Sequence, residues 1–302
     1  MRVACLLPAL LIAVLIPAGP AGAVTVDGTL DPEYGPPLTV QVNGYAYGSE
    51  APRGNYCDHT ELDALHAFVS PDSVLHVFLT GNLRDWIGSS EPSPNYDFLF
   101  LLLDTQAGGQ PAIRSDDPTP LAGQAGLAFD SGFAPDWAFV ATEPQLCCLP
   151  PARLDAYYAA LTSGGGTGYL LGSNYGQAPG TLASGTNPYD VHVALDNSAL
   201  GAIPHPCGTG SGLGVTTGVE WAIPLAAIGL PAGCIRLMAY ASHNFPNLEN
   251  QVLPPVPAGT CLLGVPSSVD FAALAGEQFV SLCDWGVPAR TPTWGALKAI
   301  YR

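Results

Sequence analysis

Apolar and polar residues alternate with a period of two through much of this chain, and turn residues break the alternation at short intervals. The stretch LDALHAFVSPDSVLHVFLTGNL (62–83) shows this best: Leu75, Val77 and Leu79 alternate with His76, Phe78 and Thr80, and Ser70-Pro71-Asp72-Ser73 divides its two halves. That pattern predicts a hairpin. YDFLFLLLDT (96–105) is apolar almost without interruption, as a strand buried on both faces would be. Shorter strands are expected at GLAF near Gly126, WAFVAT from Trp137, GYLLG from Gly168, YDVHVAL from Tyr189, GVEWAIPLAAIGL from Gly218, CIRLMAYASH from Cys234 and QFVSLCDW near the end. IPLAAIGL has room for a short helical turn. PPARLDAYYAAL (150–161) places Leu154, Tyr157, Tyr158 and Leu161 at helical spacing among strand-like neighbours, so helix and strand stay equally open there. The expected fold class is all-β: an antiparallel β-sandwich, jelly-roll or immunoglobulin-like, with long Gly/Pro-rich loops such as SGGGTG and GTGSGLG.

Composition agrees, with 35 glycines, 30 prolines, 11% charged and 48% hydrophobic residues: many tight turns, few solvated helical faces and enough apolar surface for a core. Residues 1–23 stand apart. Arg2, the apolar run Ala4–Pro17 and the small-x-small end Ala21-Gly22-Ala23 read as a secretory signal peptide cleaved after Ala23. The run is too short to span a bilayer, and no transmembrane segment is expected elsewhere. The mature chain is therefore expected to be secreted or at the cell surface. Without Arg2 it carries eight basic residues against 25 acidic ones. Such a surface repels phosphate backbones, which excludes nucleic-acid partners and disfavours acidic polysaccharides. Seven cysteines remain in an oxidising compartment: Cys57, Cys147, Cys148, Cys207, Cys234, Cys261 and Cys283. They read as disulfide partners of open connectivity, with one left over.

Candidate chemistry is sparse. Lys298 is the lone lysine, and there is no HExxH or GxSxG motif, so no specific catalytic residue is assigned. Asp58, Glu61 and Asp63 cluster beside His59, which keeps an Asp/Glu-dependent glycoside hydrolase as an outside alternative. Asp104, at a strand end beside TQAGG, suits calcium, with Asp97, Asp130 and Asp136 as further oxygen donors; turn capping is the plainer use of each. Tyr45, Tyr47 and Tyr56 in Gly/Asn-rich surroundings, and Trp86 after GNLRD, are candidate rings for stacking on sugars. Trp137 and Trp221 lie in strand patterns and are expected in the core, and the histidines of the alternating strands are expected to be solvated or satisfied.

VDGTLDPEYG, from Val26, resembles the IDGxLDExEW opening of secreted carbohydrate-binding modules of the family-9-like type, which are related to DOMON domains, with Tyr34 where Trp is usual. SVLHVFLTGNL, FLFLLLDTQAGGQ, ALDNSALGAI, TGVEWAIPLAAIGL and NQVLPPVP resemble core strands of secreted bacterial proteins of that group. The resemblance implies a sandwich that opens with a strand and a turn at residues 26–35. It carries no sugar-stacking pair over to named residues. The expected organisation is one sandwich domain over 24–286 and a basic tail, 287–302, read as a sorting tag for secretion machinery or a frayed end. The expected function is non-catalytic binding of a neutral glycan, on a polysaccharide or another cell-surface component. A structural or adhesive surface role is the alternative, and calcium would be structural.

Overall fold

The computed structural model describes residues 24–44, 60–83, 85–86, 97–146, 154–198, 208–243, 247–283 and 285. The leader and tail read from the sequence lie outside them. Among the described residues two sheets pack face to face as a β-sandwich. With strands numbered along the chain, the first sheet runs β1 (Thr39–Val40), β2 (Glu61–Val69), β3 (Val74–Asn82), β10 (Gly218–Pro224), β9 (His192–Leu195). The second runs β13 (Leu262–Gly264), β12 (Leu248–Leu253), β11 (Ile235–His243), β5 (Asp97–Asp104), β6 (Trp137–Leu146), β7 (Asp155–Thr162), β8 (Gly165–Ser173). In addition, β14 (Val280–Leu282) pairs with the start of β11, and β4 (Asp85–Trp86) lies parallel to the end of β6. A Cys234–Cys283 disulfide ties β14 to the residue before β11, and Cys261 is also disulfide-bonded. No helix among the described residues is long and apolar enough to cross a membrane.

Alternation assigns the faces. Leu99, Leu101 and Leu103 of β5 meet Phe139, Tyr158 and Leu237 of their own sheet and Leu65, Val77, Leu79, Val219 and Trp221 of the other. The alternate residues Phe100 and Leu102 point the opposite way, into a second cluster with Val140, Tyr240, Ile113, Leu127, Phe129, Val256 and Phe271. β5 is thus buried on both faces, as its unbroken apolar run requires. The second cluster is roofed by the excursions after β5 and after β12. GLAF joins that roof through isolated bridges of Ala128 to Ala112 and Asp270 and forms no strand. The ambiguous PPARLDAYYAAL is strand β7: Ala156 and Tyr158 face the inter-sheet core while Ala159 and Leu161 face the roof, a period of two that its helical spacing hid. Leu225–Ile228 forms the short helical turn, of 3-10 type, closed by Gly229 in the left-handed region.

VDGTLDPEYG does not supply the first strand of a sheet. Apart from a bridge of Thr29 to Thr217 and a 3-10 turn at Pro32–Tyr34, it lies as a strap over the outer face of the five-stranded sheet. Tyr34 stands edge-on to Phe68 and Phe78 (ring centroids 5.3 and 5.5 Å), with His66 and His76 beside it. Beneath it is Glu220 at the centre of β10, fully buried. The Tyr34 hydroxyl donates to Glu220 Oε1 (2.9 Å), and the Asp27 and Gly28 amides donate to Oε2 (2.9 and 3.0 Å). Asp27 and Asp31 accept from the Thr29 and Thr25 amides and shape the strap itself.

Two predictions follow from this packing. Leu101→Ala removes a fully buried side chain from the centre of β5 and is expected to cost about 2–5 kcal/mol in urea unfolding with an unchanged slope. Burial pushes the Glu220 carboxyl up from 4.5 to about 7, against the three hydrogen bonds that favour the anion. The folded state therefore holds an extra proton, and the stabilisation is complete below about 4.5 and is lost as pH rises through about 7. Burial pushes His66 and His76 down, so their contribution runs the other way and is lost as pH falls below 6.5. The Glu220 effect is isolated by comparison with Glu220→Gln. Between pH 4.5 and 7.5 wild type should lose about 3 kcal/mol relative to that variant. A stability difference independent of pH would show that Glu220 titrates as an ordinary carboxyl.

Candidate functional site

Register places the ends of the strands. The start of β2 pairs with the end of β3 (Glu61 with Asn82), and the start of β5 lies between the ends of β6 and β11. Thr60 Oγ1 donates to Asp97 Oδ2 across the two sheets, so these ends form one end of the sandwich. Tyr45, Tyr47, Tyr56 and Cys57 belong to the segment between Gly44 and Thr60, which leaves and re-enters at this end; like Cys147, Cys148 and Cys207 they lie outside the described residues. Trp86 is aligned with Leu146 in the β4–β6 pair, and its side chain is likewise outside the description.

The floor of this end is an amide network. Gln41 Nε2 donates to the Val252 carbonyl and Asn43 Nδ2 to that of Val256, while Asn43 Oδ1 accepts from the Gly259 amide. Asn250 Nδ2 donates to the Gly44 and Thr260 carbonyls, and Gln251 joins Leu62 to Asn43. All four side chains are buried, and they clamp residues 41–44 to β12 and the turn after it. This is how NQVLPPVP is used.

The aspartates considered for calcium are placed as follows. Asp97 and Asp104 stand at opposite ends of the eight-residue β5, about 23 Å apart. Asp104 Oδ2 pairs with Arg236 Nη1 (2.9 Å) and accepts from the Ala134 amide (3.2 Å). Asp136 Oδ2 accepts from the Thr105 and Gln106 amides (2.7 and 2.9 Å). Burial nevertheless raises its pKa, the two amides opposing and the nearby Asp104 adding to the rise. Asp130 Oδ2 accepts from the Gln278 amide (2.6 Å). Asp104 and Asp136 are thus neighbours at one strand end. Among the described residues no group of three or more His, Cys, Asp or Glu side chains is arranged to hold a metal ion.

A different set of rings converges. Trp221, Phe139, Tyr158 and Tyr169 form a continuous row with successive centroids 5.7, 5.5 and 5.1 Å apart. Phe139, Tyr158 and Tyr169 are directly cross-strand neighbours on β6, β7 and β8, so the row runs from the inter-sheet core to the sheet edge. Trp137 stacks beside Tyr158 at 6.0 Å and donates Nε1–H to Thr105 Oγ1; it is only half-buried, whereas Trp221 lies fully in the core. Tyr189 lies on the chain beside the β8 edge, three residues after Thr186, whose amide donates to the Leu170 carbonyl (2.8 Å), and is 41% exposed. Burial raises the Tyr158 and Tyr169 phenols, and the nearby Tyr189 hydroxyl raises both further.

The turn that carries Tyr189 is built to hold still. Asn187 grips Val191 with both amide atoms: Oδ1 accepts from its N–H (2.9 Å) and Nδ2 donates to its carbonyl (2.8 Å). Pro188 fixes one side of the tip, and Asp190 occupies the left-handed region at φ +56, an unfavourable state for a non-glycine residue. Asp190 projects into solvent and lies 3.4 Å from His192 Nε2. The result is an exposed phenol ring, a carboxylate and an imidazole on a rigid turn, beside the half-exposed Tyr169.

No family model matches this chain, and neither does any curated protein or solved structure. In the sequence YDVHVAL and GYLLG read only as strands, and their alternation does not single out Tyr189 or Tyr169. The usable signal was NPYD, an Asn-Pro turn with an aromatic residue at its tip.

Asn187→Ala should release the turn without unfolding the sandwich. Hydrogen exchange at the Val191 amide is expected to rise by at least about tenfold, the equivalent of roughly 1.4 kcal/mol of lost local protection. Unchanged exchange would mean that the clasp does not hold the turn.

Proposed function

We propose that this protein is a non-catalytic binding protein for a neutral glycan, with Tyr169 and Tyr189 at the β8 edge as the stacking rings. The observation that carries the reading is the clasped Asn187–Val191 turn, which holds Tyr189 exposed on the chain that runs beside β8, where Thr186 donates to the Leu170 carbonyl next to Tyr169. Pyranose rings present apolar C–H faces that tyrosine rings cover, and their hydroxyls seek acceptors and donors such as Asp190 and His192. A ring carried on an already ordered backbone loses less conformational freedom on binding than one on a loose loop. The formal net charge of −16 favours an uncharged polymer over a polyanion. In this reading the leader, residues 1–23, is removed on secretion, and the tail, 287–302, directs the protein to the cell surface.

A structural or adhesive role is the second reading. It is favoured by β13, the last strand of its sheet, where Leu262 and nearby Val265 are exposed.

The test is retention of residues 24–302 on a panel of insoluble polysaccharides, with calcium and with chelator. Wild type should be retained on one polymer, and Tyr189→Ala or Tyr169→Ala should weaken retention about tenfold each, as expected for the loss of roughly 1–1.5 kcal/mol of stacking. Retention insensitive to both but lost in Trp86→Ala would move the site from the β8 edge to the end of the sandwich where β4 meets β6. Retention on none would favour the adhesive role.

A further inference from the structure

The three donors that meet Glu220 all come from one segment, the strap of residues 24–36. Its fit is close: a Cβ on Gly28 would lie 2.3 Å from the Asp196 amide nitrogen, the Gly28 carbonyl accepts from the Gly218 amide, and the Leu30 amide donates to the Thr216 carbonyl. Its tether is short and lies at the surface, held to the sheet through a 3.1 Å hydrogen bond between the Gly35 carbonyl and His66 Nδ1. Gly35 and Pro36 are exposed, and Gly35 sits at φ +65 with open space where a side chain would stand. The socket is specific, with a carboxylate floor at Glu220 and a wall made by Phe68, Phe78, His66 and His76. His76 is 8% exposed, and its Nδ1 has no hydrogen-bond partner. The strap is in effect a ligand attached to its own binding site by a short surface hinge.

We propose that the strap is exchangeable between copies, the strap of one chain seating Tyr34 in the outer-face socket of a second. Exchange through the Gly35-Pro36-Pro37 hinge preserves every strap contact, so its balance is set by hinge conformation and by the entropy of association. Charge opposes it at low ionic strength. Each chain is strongly acidic, and the strap itself carries Asp27, Asp31 and Glu33. Exchange should therefore increase with salt as well as with protein concentration.

Two full-length mature variants separate strap from socket. Glu220→Ala keeps an intact strap and spoils the socket, whereas Tyr34→Ala spoils the strap and keeps the socket. Each is checked for native circular dichroism and incubated alone or mixed at high concentration and high salt, with mass read by light scattering after size exclusion. The mixture should shift to twice the monomer mass while each variant alone stays monomeric. If Glu220→Ala does not fold, Phe68→Ala replaces it as the socket-deficient partner. A mixture of folded variants that remains monomeric overturns the proposal.

Discussion

The double burial of β5 is the constraint on which the rest of the structure depends. A sandwich needs only one apolar face per sheet, but β5 offers Leu99, Leu101 and Leu103 to one side and Phe100 and Leu102 to the other. The nine-stranded sheet must therefore be covered twice, once by its partner and once by the roof that holds Ile113, Phe129, Phe133 and Phe271. The five-stranded sheet repeats the problem with Phe78 and Glu220 on its outer face, and the strap solves it. The molecule is layered as cover, sheet, sheet, cover, and both covers are irregular chain.

Irregular chain over a buried face leaves backbone amides without ladder partners, and each must find an acceptor. Here side-chain oxygens do this repeatedly. Glu220 takes the Asp27 and Gly28 amides, Asp136 those of Thr105 and Gln106, Asp130 that of Gln278, and Asp117 that of Arg114. A carboxylate suits this because it accepts several hydrogen bonds and donates none. In a chain with nine basic residues, most carboxylates cannot rely on cations, and amide donors substitute for them. Desolvation still has to be offset, which is why Glu220 and Asp136 are raised despite good hydrogen bonds.

This division also decides what was legible in the sequence. Strands with one or both faces buried announce themselves by alternation or by unbroken apolarity, so the β2–β3 hairpin, β5, β6, β10 and β11 are readable directly. β7 was ambiguous because Ala and Tyr fill both of its faces and leave no polar side to mark the period. GLAF and VDGTLDPEYG look like strands, yet they belong to the covers: Leu127, Phe129 and Tyr34 are buried where irregular chain meets a sheet face and not in ladders. The acids in these loops look like metal donors for a related reason, since capping and coordination call on the same oxygens. Seven cysteines and three tyrosines chosen from local composition could not be ordered in space by any pattern along the chain.

The aromatic row shows why the surface around Tyr189 was harder still to see. Phe139, Tyr158 and Tyr169 are equivalent by register, each directly across from the next, and nothing in their own strands separates core from rim. What separates them is the unequal width of the two sheets. The five-stranded sheet ends at β9, only four residues long, and leaves the β8 margin of the wider sheet half covered. A margin of half-exposed rings would ordinarily be blunted by a charged or mobile loop. Here the chain entering β9 spends an Asn clasp, a proline and a left-handed aspartate on holding one more ring beside that margin in the open. Solvation alone would not need so much local order, whereas a surface that must meet a flat apolar face in one orientation would.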